Sequence, residues 1–305
     1  MDRRSFVGSI VGGLLVVPLA ARAQEPATPV IGYLSSRSPG ESAHIVAAFR
    51  QGLNETGYIA GKNVAIESRF AEGQFDRLPT LAADLVRLRV NVIVATGGTV
   101  SVVAAKPVVP ETVPMVFAMG GDPVKLGIVA SFARPGGHIT GVSFLVNGLA
   151  ANEIELLHEL VPKAAVMGFL TNAHDPNAES DTREAQAAAD AIRQKLVVVK
   201  ASTESDLDVA FSTLVQQRVA ALFVDTDPFL TDQRTKIVAL AARHALPFVS
   251  QLREFAAAGA LATYGTSITG ANRQLGIYTG RILKGAKPSD LPILQSSKFE
   301  LIINL

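Results

Sequence analysis

From Pro29 onward, short apolar runs alternate with longer stretches in which apolar residues recur every three to four positions. The first run, 30–34, predicts a buried strand ending at the turn-forming pair Ser35-Ser36. Ile45, Phe49 and Leu53, with the small Ala48, mark one face of a helix over 42–56, and Gly57 follows as its C-terminal cap. Residues 64–70 alternate apolar and polar, as a strand at a sheet edge does. Leu78, Leu81, Leu85 and Leu88 recur at helical spacing, and 92–95 and 113–117 read as buried strands. The alternation restarts in the second half, with strands over 166–170, 196–199, 221–224, 247–249 and 260–264 and helices over 150–161, 179–195, 207–217 and 231–244. Strands separated by helices of this length predict parallel sheets built from right-handed βαβ units. Two such runs predict an α/β protein of two doubly wound parallel-sheet lobes joined by a hinge.

A faint repeat supports the division. Met115-Val116-Phe117 leads to Asp122-Pro123 and Leu222-Phe223-Val224 leads to Asp227-Pro228; in each, Asp is placed to cap a helix and Pro to open it. Between the halves, 134–142 carries turn residues and has no room for a helix, so 140–144 reads as the chain crossing from the first lobe to the second.

The N-terminus follows another pattern. Arg3 and Arg4 precede an apolar stretch over 6–19, shorter than the roughly 20 residues that span a bilayer. Ala21-Arg22-Ala23 places small residues where a signal peptidase reads them, so residues 1–23 are expected to be a cleaved export signal. Arg3-Arg4-Ser5-Phe6-Val7 resembles a twin-arginine export signal, with an ordinary Sec signal that begins with two arginines as the alternative. The whole chain carries a formal charge of +1, and the leader accounts for Arg3, Arg4, Arg22 and Asp2, so the remainder is slightly acidic. That is no footprint for nucleic acid, and none is expected as a partner. There is no cysteine, hence no disulfide, no thiolate metal site and no lipid-attachment residue. A soluble protein of the periplasm is the expectation, and no later apolar run is long enough to span a membrane.

Catalytic signatures are missing. The histidines at 44, 138, 158, 174 and 244 show no paired metal spacing, and neither a G-x-S-x-G elbow nor a phosphate-binding P-loop occurs. No catalytic residue, metal or cofactor is therefore assigned. What does stand out is a set of polar loops at the predicted C-terminal ends of strands, where open parallel sheets bind ligands. These are Ser35 and Ser36; Thr96, Gly97, Gly98 and Thr99; Met119 to Asp122; Asn172 after Thr171; Asp225 and Asp227; Gln251 after Ser250; and Tyr264 with Gly265. Glycines let a backbone approach a ligand, and a helix N-terminus favours an anion. Asp225 or Asp227 holding an ammonium, with the loop 96–99 taking a carboxylate, would suit an α-amino acid.

Several of these stretches resemble a known family. Val113-Pro114-Met115-Val116-Phe117-Ala118, Asp122-Pro123-Val124 and above all Ala133-Arg134-Pro135-Gly136-Gly137-His138-Ile139-Thr140-Gly141 resemble ABC transporter substrate-binding proteins of the tryptophan- and tyrosine-binding type. So do Arg253-Glu254-Phe255-Ala256, Gly280-Arg281-Ile282-Leu283-Lys284-Gly285-Ala286-Lys287-Pro288 and Lys298-Phe299-Glu300-Leu301-Ile302-Ile303-Asn304-Leu305; His138 stands where Asn is usual. The resemblance implies a type I periplasmic binding fold with three hinge crossings, the third near 298–305. It divides the chain into an N-terminal lobe (29–141 plus 267–297) and a C-terminal lobe (142–266 plus 298–305). It further implies a monomeric receptor that captures a small molecule, an amino acid with aromatic ones among the candidates, and delivers it to an inner-membrane ABC permease. A sensory module for a membrane receptor, or a secreted enzyme using the same cleft, are the alternatives. Family members usually continue about twenty residues beyond the position of Leu305.

Overall fold

The computed structural model describes residues 28–144, 149–296 and 299–304; the stretch 1–23, expected to be an export signal, lies outside them. The first half contains β1 (Val30–Ser35), α1 (Ala43–Glu55), β2 (Ala65–Phe70), α2 (Leu78–Arg87), β3 (Val92–Thr96), α3 (Thr99–Ala105), β4 (Met115–Met119) and β5 (Ile139–Ser143). The second contains α4 (Ala150–Leu160), β6 (Val166–Thr171), α5 (Ala178–Ala191), β7 (Lys195–Lys200), α6 (Glu204–Gln216), β8 (Ala221–Val224), α7 (Pro228–Asp232), α8 (Arg234–Arg243), β9 (Phe248–Ser250), α9 (Arg253–Ala258) and β10 (Ala262–Thr266). The long helix α10 (Ile268–Leu283) and strands β11 (Leu294–Gln295) and β12 (Phe299–Ile303) follow.

These strands form two sheets, ordered β11-β5-β4-β3-β1-β2 and β12-β10-β9-β8-β6-β7. Five strands of each repeat one topology, 2-1-3-4-5, and every pairing is parallel except β10 with β12. Parallel strands must be covered on both faces, which explains their near-continuous apolar sequences. Ile31, Val92 and Val116 pack under α1 and α10, and Ile93, Ala95 and Phe117 under α2 and α3. In the second sheet Leu222 and Val224 face α6 and α8, whereas Phe169 and Phe223 stack at 5.0 Å beneath α4 and α5.

The chain passes between sheets three times. The first passage follows β5, and the second is the single residue Ser267, whose hydroxyl caps α10 by accepting from the Gly270 N–H at 3.1 Å. The third joins β11 to β12. Hydrogen bonds tie the passages together: Thr266 Oγ1 donates to the Phe144 carbonyl at 3.0 Å, and the Ser296 N–H donates to the Ser143 carbonyl at 3.2 Å.

Four local readings are corrected. Residues 140–143 do not cross between lobes but lie in β5, fully buried between β4 and β11, and Phe144 stays with them through its N–H to the Met119 carbonyl. The helix expected after Asp122-Pro123 is one turn only: Asp122 accepts from Val124 and Lys125, but Gly127 adopts φ +64° and ends it. The strand expected at 113–117 sits two residues later, because Pro114 has no N–H for the ladder and offers only its carbonyl, to Ile93. The helix over 231–244 is two, α7 and α8, meeting at Gln233.

Helix α10 was absent from the sequence reading because its glycines lower helix propensity. Those glycines have a packing reason. A Cβ at Gly276 would lie 2.1 Å from the Phe49 carbonyl oxygen, and one at Gly52 would lie 1.8 Å from that of Arg273, so α1 and α10 meet backbone to backbone.

Candidate functional site between the lobes

Parallel strands bring their C-terminal ends to one edge of each sheet, and the two edges face each other. The lobes touch there. A Cβ on Gly98 would sit 2.6 Å from Pro228 Cγ, and one on Gly121 2.5 Å from Asn177 Oδ1. On one flank, ion pairs run from the β1–α1 segment to the other lobe, Arg37 to Asp232 at 4.0 Å and Glu41 to Arg234, and His44 Nε2 of α1 lies 3.2 Å from Glu254. Among the described residues the lobes thus stand closed on each other, with only a narrow space left between them.

From the first lobe this space is lined by Arg37, Gly98, Thr99, Gly120, Phe144 and Ile268. From the second it is lined by Asp175, Asn177, Thr226, Asp227, Pro228 and Leu252. One side is therefore basic and glycine-rich, and the other carries carboxylates.

The carboxylates belong to a buried group. Asp227 caps α7, accepting from the Leu230 N–H at 2.6 Å, and its other oxygen accepts from Asn172 Nδ2 at 2.6 Å. Asp175 accepts from the N–H and side-chain amide of Asn177 at 2.7 and 2.9 Å. Asp225 lies behind them, accepting from Thr171 Oγ1 at 2.7 Å and the Thr226 N–H at 2.8 Å. Burial pushes Asp175 up to about 7, aided by the charge of Asp225 and opposed by the Asn177 N–H. Burial likewise raises Asp227 to about 7, with Asp175 adding to it. Asp225 is held well above the carboxylate range by burial and then by Asp181. Several carboxyls crowded into low dielectric cannot all ionise without a cation nearby.

Of the residues singled out by sequence, Gly98, Thr99 and Asp227 line the space, and Asn172 and Asp225 support it from beneath. Ser35, Ser36, Thr96 and Gly97 serve the first lobe's own scaffold. Ser36 Oγ donates to the Gly97 carbonyl, Ser35 Oγ accepts from the Arg37 N–H at 3.3 Å, and Thr96 Oγ1 donates to Asn272 Oδ1 at 3.1 Å. Met119 does not line the space; the shifted β4 puts it in the core beside Phe117. Asp122 caps its own turn and borders a separate groove with Asn177 and Asp181. Gln251 is buried next to Leu252, its carbonyl against Gly265. Tyr264 is not among the lining residues either, its ring stacked on Phe299 of β12 at 5.7 Å.

The sequence reading missed Arg37, Phe144, Asp175, Asn177, Leu252 and Ile268. Arg37 directly follows Ser35-Ser36, and Asp175-Pro176-Asn177 is a helix-start signal three residues past Asn172, so extending each loop to its helix would have found both. Phe144 and Ile268 flank hinge passages, which carry no such signal.

Two lobes of this topology, with a triple crossing and a cleft at their facing strand ends, define the type I periplasmic binding fold. The sequence pattern of the ABC transporter substrate binding protein family matches residues 38–305, and the chain belongs to that family. It is 26% identical over 256 residues to a tyrosine-binding protein of Clostridioides difficile (strain R20291), covering 84% of this chain and 73% of that one. Its fold superposes with a TM-score of 0.81 on a Streptococcus pneumonia ABC domain in complex with L-Trp, at 23% identity, covering 91% of this chain and 92% of the other. Against the ligand-free, open form of a Clostridium difficile substrate-binding protein with adhesive properties, the TM-score is 0.64, again at 23% identity, over 90% and 92% of the two chains.

Proposed function

We propose that this protein is the extracytoplasmic receptor of an ABC importer, exported by the signal at residues 1–23 to the periplasm. It acts as a monomer that captures an amino acid between its lobes and presents it to an inner-membrane permease. The observation that carries this reading is the pair Asp175 and Asp227, buried at the cleft with no basic residue of their own lobe among the lining residues. An ammonium group between them supplies the missing positive charge and lets both ionise. Of the two acids considered from sequence, Asp225 or Asp227, this keeps Asp227 and adds Asp175, since Asp225 lies behind the lining residues and Asp175 among them.

The names of the relatives supply the candidates for the rest of the molecule, L-tyrosine and L-tryptophan. Phe144, Leu252, Ile268 and Pro228 offer apolar walls for such a side chain. Ligand stabilises the closed arrangement by the difference between its affinities for closed and open forms, the signal a permease reads. Native mass spectrometry of the purified protein, followed by titration calorimetry with L-tyrosine and L-tryptophan, tests the reading. One unmodified amino acid per chain is expected; a chain that binds no amino acid overturns it. Loss of uptake of that amino acid in cells lacking the gene separates transport from sensing.

A further inference from the structure

The carboxylate end of such a ligand needs a partner in the first lobe, and the loop expected to provide it is otherwise engaged. Helix α3 is only seven residues long, and the bare face of Gly98 is filled by Pro228 of the opposite lobe. Thr99 Oγ1 already accepts from the Gly121 N–H at 3.2 Å.

Arg37 is differently placed. Its side chain is 4% exposed, lines the space, and has a buried Nε with no hydrogen-bond partner. The nearest acid, Asp232, approaches only to 4.0 Å, and its Oδ1 is itself buried without a hydrogen bond. Asp232 also faces Glu41, which is paired with Arg234. A buried guanidinium beside a carboxylate that it attracts but does not bond is an incomplete site, because a planar fork of donors satisfies itself best on a bidentate anion. The backbone beneath it is fixed: its N–H donates to Ser35 Oγ, and its carbonyl accepts from the Glu72 N–H at 3.4 Å. Across the space stand Asp175 and Asp227, so the cleft is a dipole, positive on the first lobe and negative on the second.

We propose that Arg37 is the carboxylate-selecting residue of the cleft and, through its place at the head of the ion pairs with Asp232 and Glu41–Arg234 and the contact His44–Glu254, the group that couples ligand capture to lobe closure. The inference rests on the receptor reading above and narrows it: the ligand carries a free carboxylate as well as an ammonium, and amines or amino-acid amides are rejected.

The test compares each L-amino acid with its amide by titration calorimetry, in the wild type and in Arg37→Gln and Arg37→Lys proteins. L-Tyrosine with L-tyrosinamide and L-tryptophan with L-tryptophanamide are the first probes, and the remaining L-amino acids are screened by thermal shift. The wild type is expected to bind the acid roughly 10- to 100-fold more tightly than the amide, as loss of a buried charged hydrogen bond implies. Arg37→Gln should bind both alike and weakly, and Arg37→Lys should restore part of the preference. Arg37→Gln retaining the wild-type preference, or a wild type that takes acid and amide equally, overturns the inference while leaving an amino acid receptor standing. A wild type that binds no amino acid overturns both. Should Arg37→Gln fail to fold, the wild-type acid-to-amide ratio and the Arg37→Lys protein decide the matter between them.

Discussion

The two lobes share one topology and divide the chemistry between them. In both, five parallel strands run in the same order and end at the cleft. The first lobe's rim is made of hydroxyls, glycines and Arg37, and its serines and threonines bond to their own scaffold. The second lobe's rim places Asp175, Asp225 and Asp227 in a buried cluster. The helix pairs differ as well. Helices α1 and α10 approach at Gly52 and Gly276, whereas α4 and α5 pack through side chains such as Ile154, Leu157, Ala185 and Ala189. A repeated scaffold thus tolerates opposite rims, because strand order fixes where the loops go and leaves open what they carry.

The sharpest way to break the comparison is at the helix pair that only the first lobe has. Gly276→Ala should cost on the order of 3 kcal/mol, since the new Cβ meets a carbonyl rather than a side chain that can move. A fall in Tm of roughly 5–12 °C in calorimetry would show it. Ala185→Gly, in the second lobe, should cost no more than about 1–2 kcal/mol for lost helix propensity and contact.

The rims differ next in what they do to ligand. Asp227→Asn should weaken amino acid binding by at least ~100-fold in titration calorimetry, as expected for leaving a buried ammonium half-paired. Thr96→Val, in the first lobe, should change affinity by less than about fivefold, because its hydroxyl serves Asn272 and does not line the space.

A third difference is pH. Asp175 and Asp227 rise from 3.8 to about 7 in the folded protein. Between those values the folded chain holds protons that the unfolded chain has lost, so ligand-free stability is higher near pH 5 and falls as pH approaches 8. The change is on the order of 2–4 kcal/mol, and Asp175→Asn should flatten it in a Tm-against-pH series. Ligand reverses the sign: an ammonium favours the ionised pair, so affinity should increase as pH rises from 5 to 7.5.

The smallest effect is expected where the lobes meet in solvent. Glu41→Gln removes a partly exposed pair with Arg234 and should shift closure by at most about 1 kcal/mol, read as a two- to fivefold loss of affinity that disappears in high salt.

Much of the fold was legible because parallel strands buried on both faces leave an unmistakable apolar record, and βαβ order follows from their spacing. Helix α10 has its stripe as well, Ile268, Ala271, Leu275, Tyr278 and Ile282, but Gly270, Gly276 and Gly280 run through it and disguise it as a loop. The site was half legible for a related reason. Asp227 announced itself as a cap beside Pro228, but the same chemistry at Asp122 produced only a turn, ended by Gly127. Hydroxyls at strand ends do not declare whether they face a ligand or brace a loop; Ser36 and Thr96 brace. Arg37 was hidden by the reverse ambiguity, since a lone arginine in a surface-like loop reads as solvated until the opposite lobe closes over it.

The laced passages bear on how such a molecule moves. Thr266 to Phe144 and Ser296 to Ser143 are bonds between the ends of different passages. A swing of the lobes that keeps both intact must fold about this seam, as the covers of a book fold about its spine.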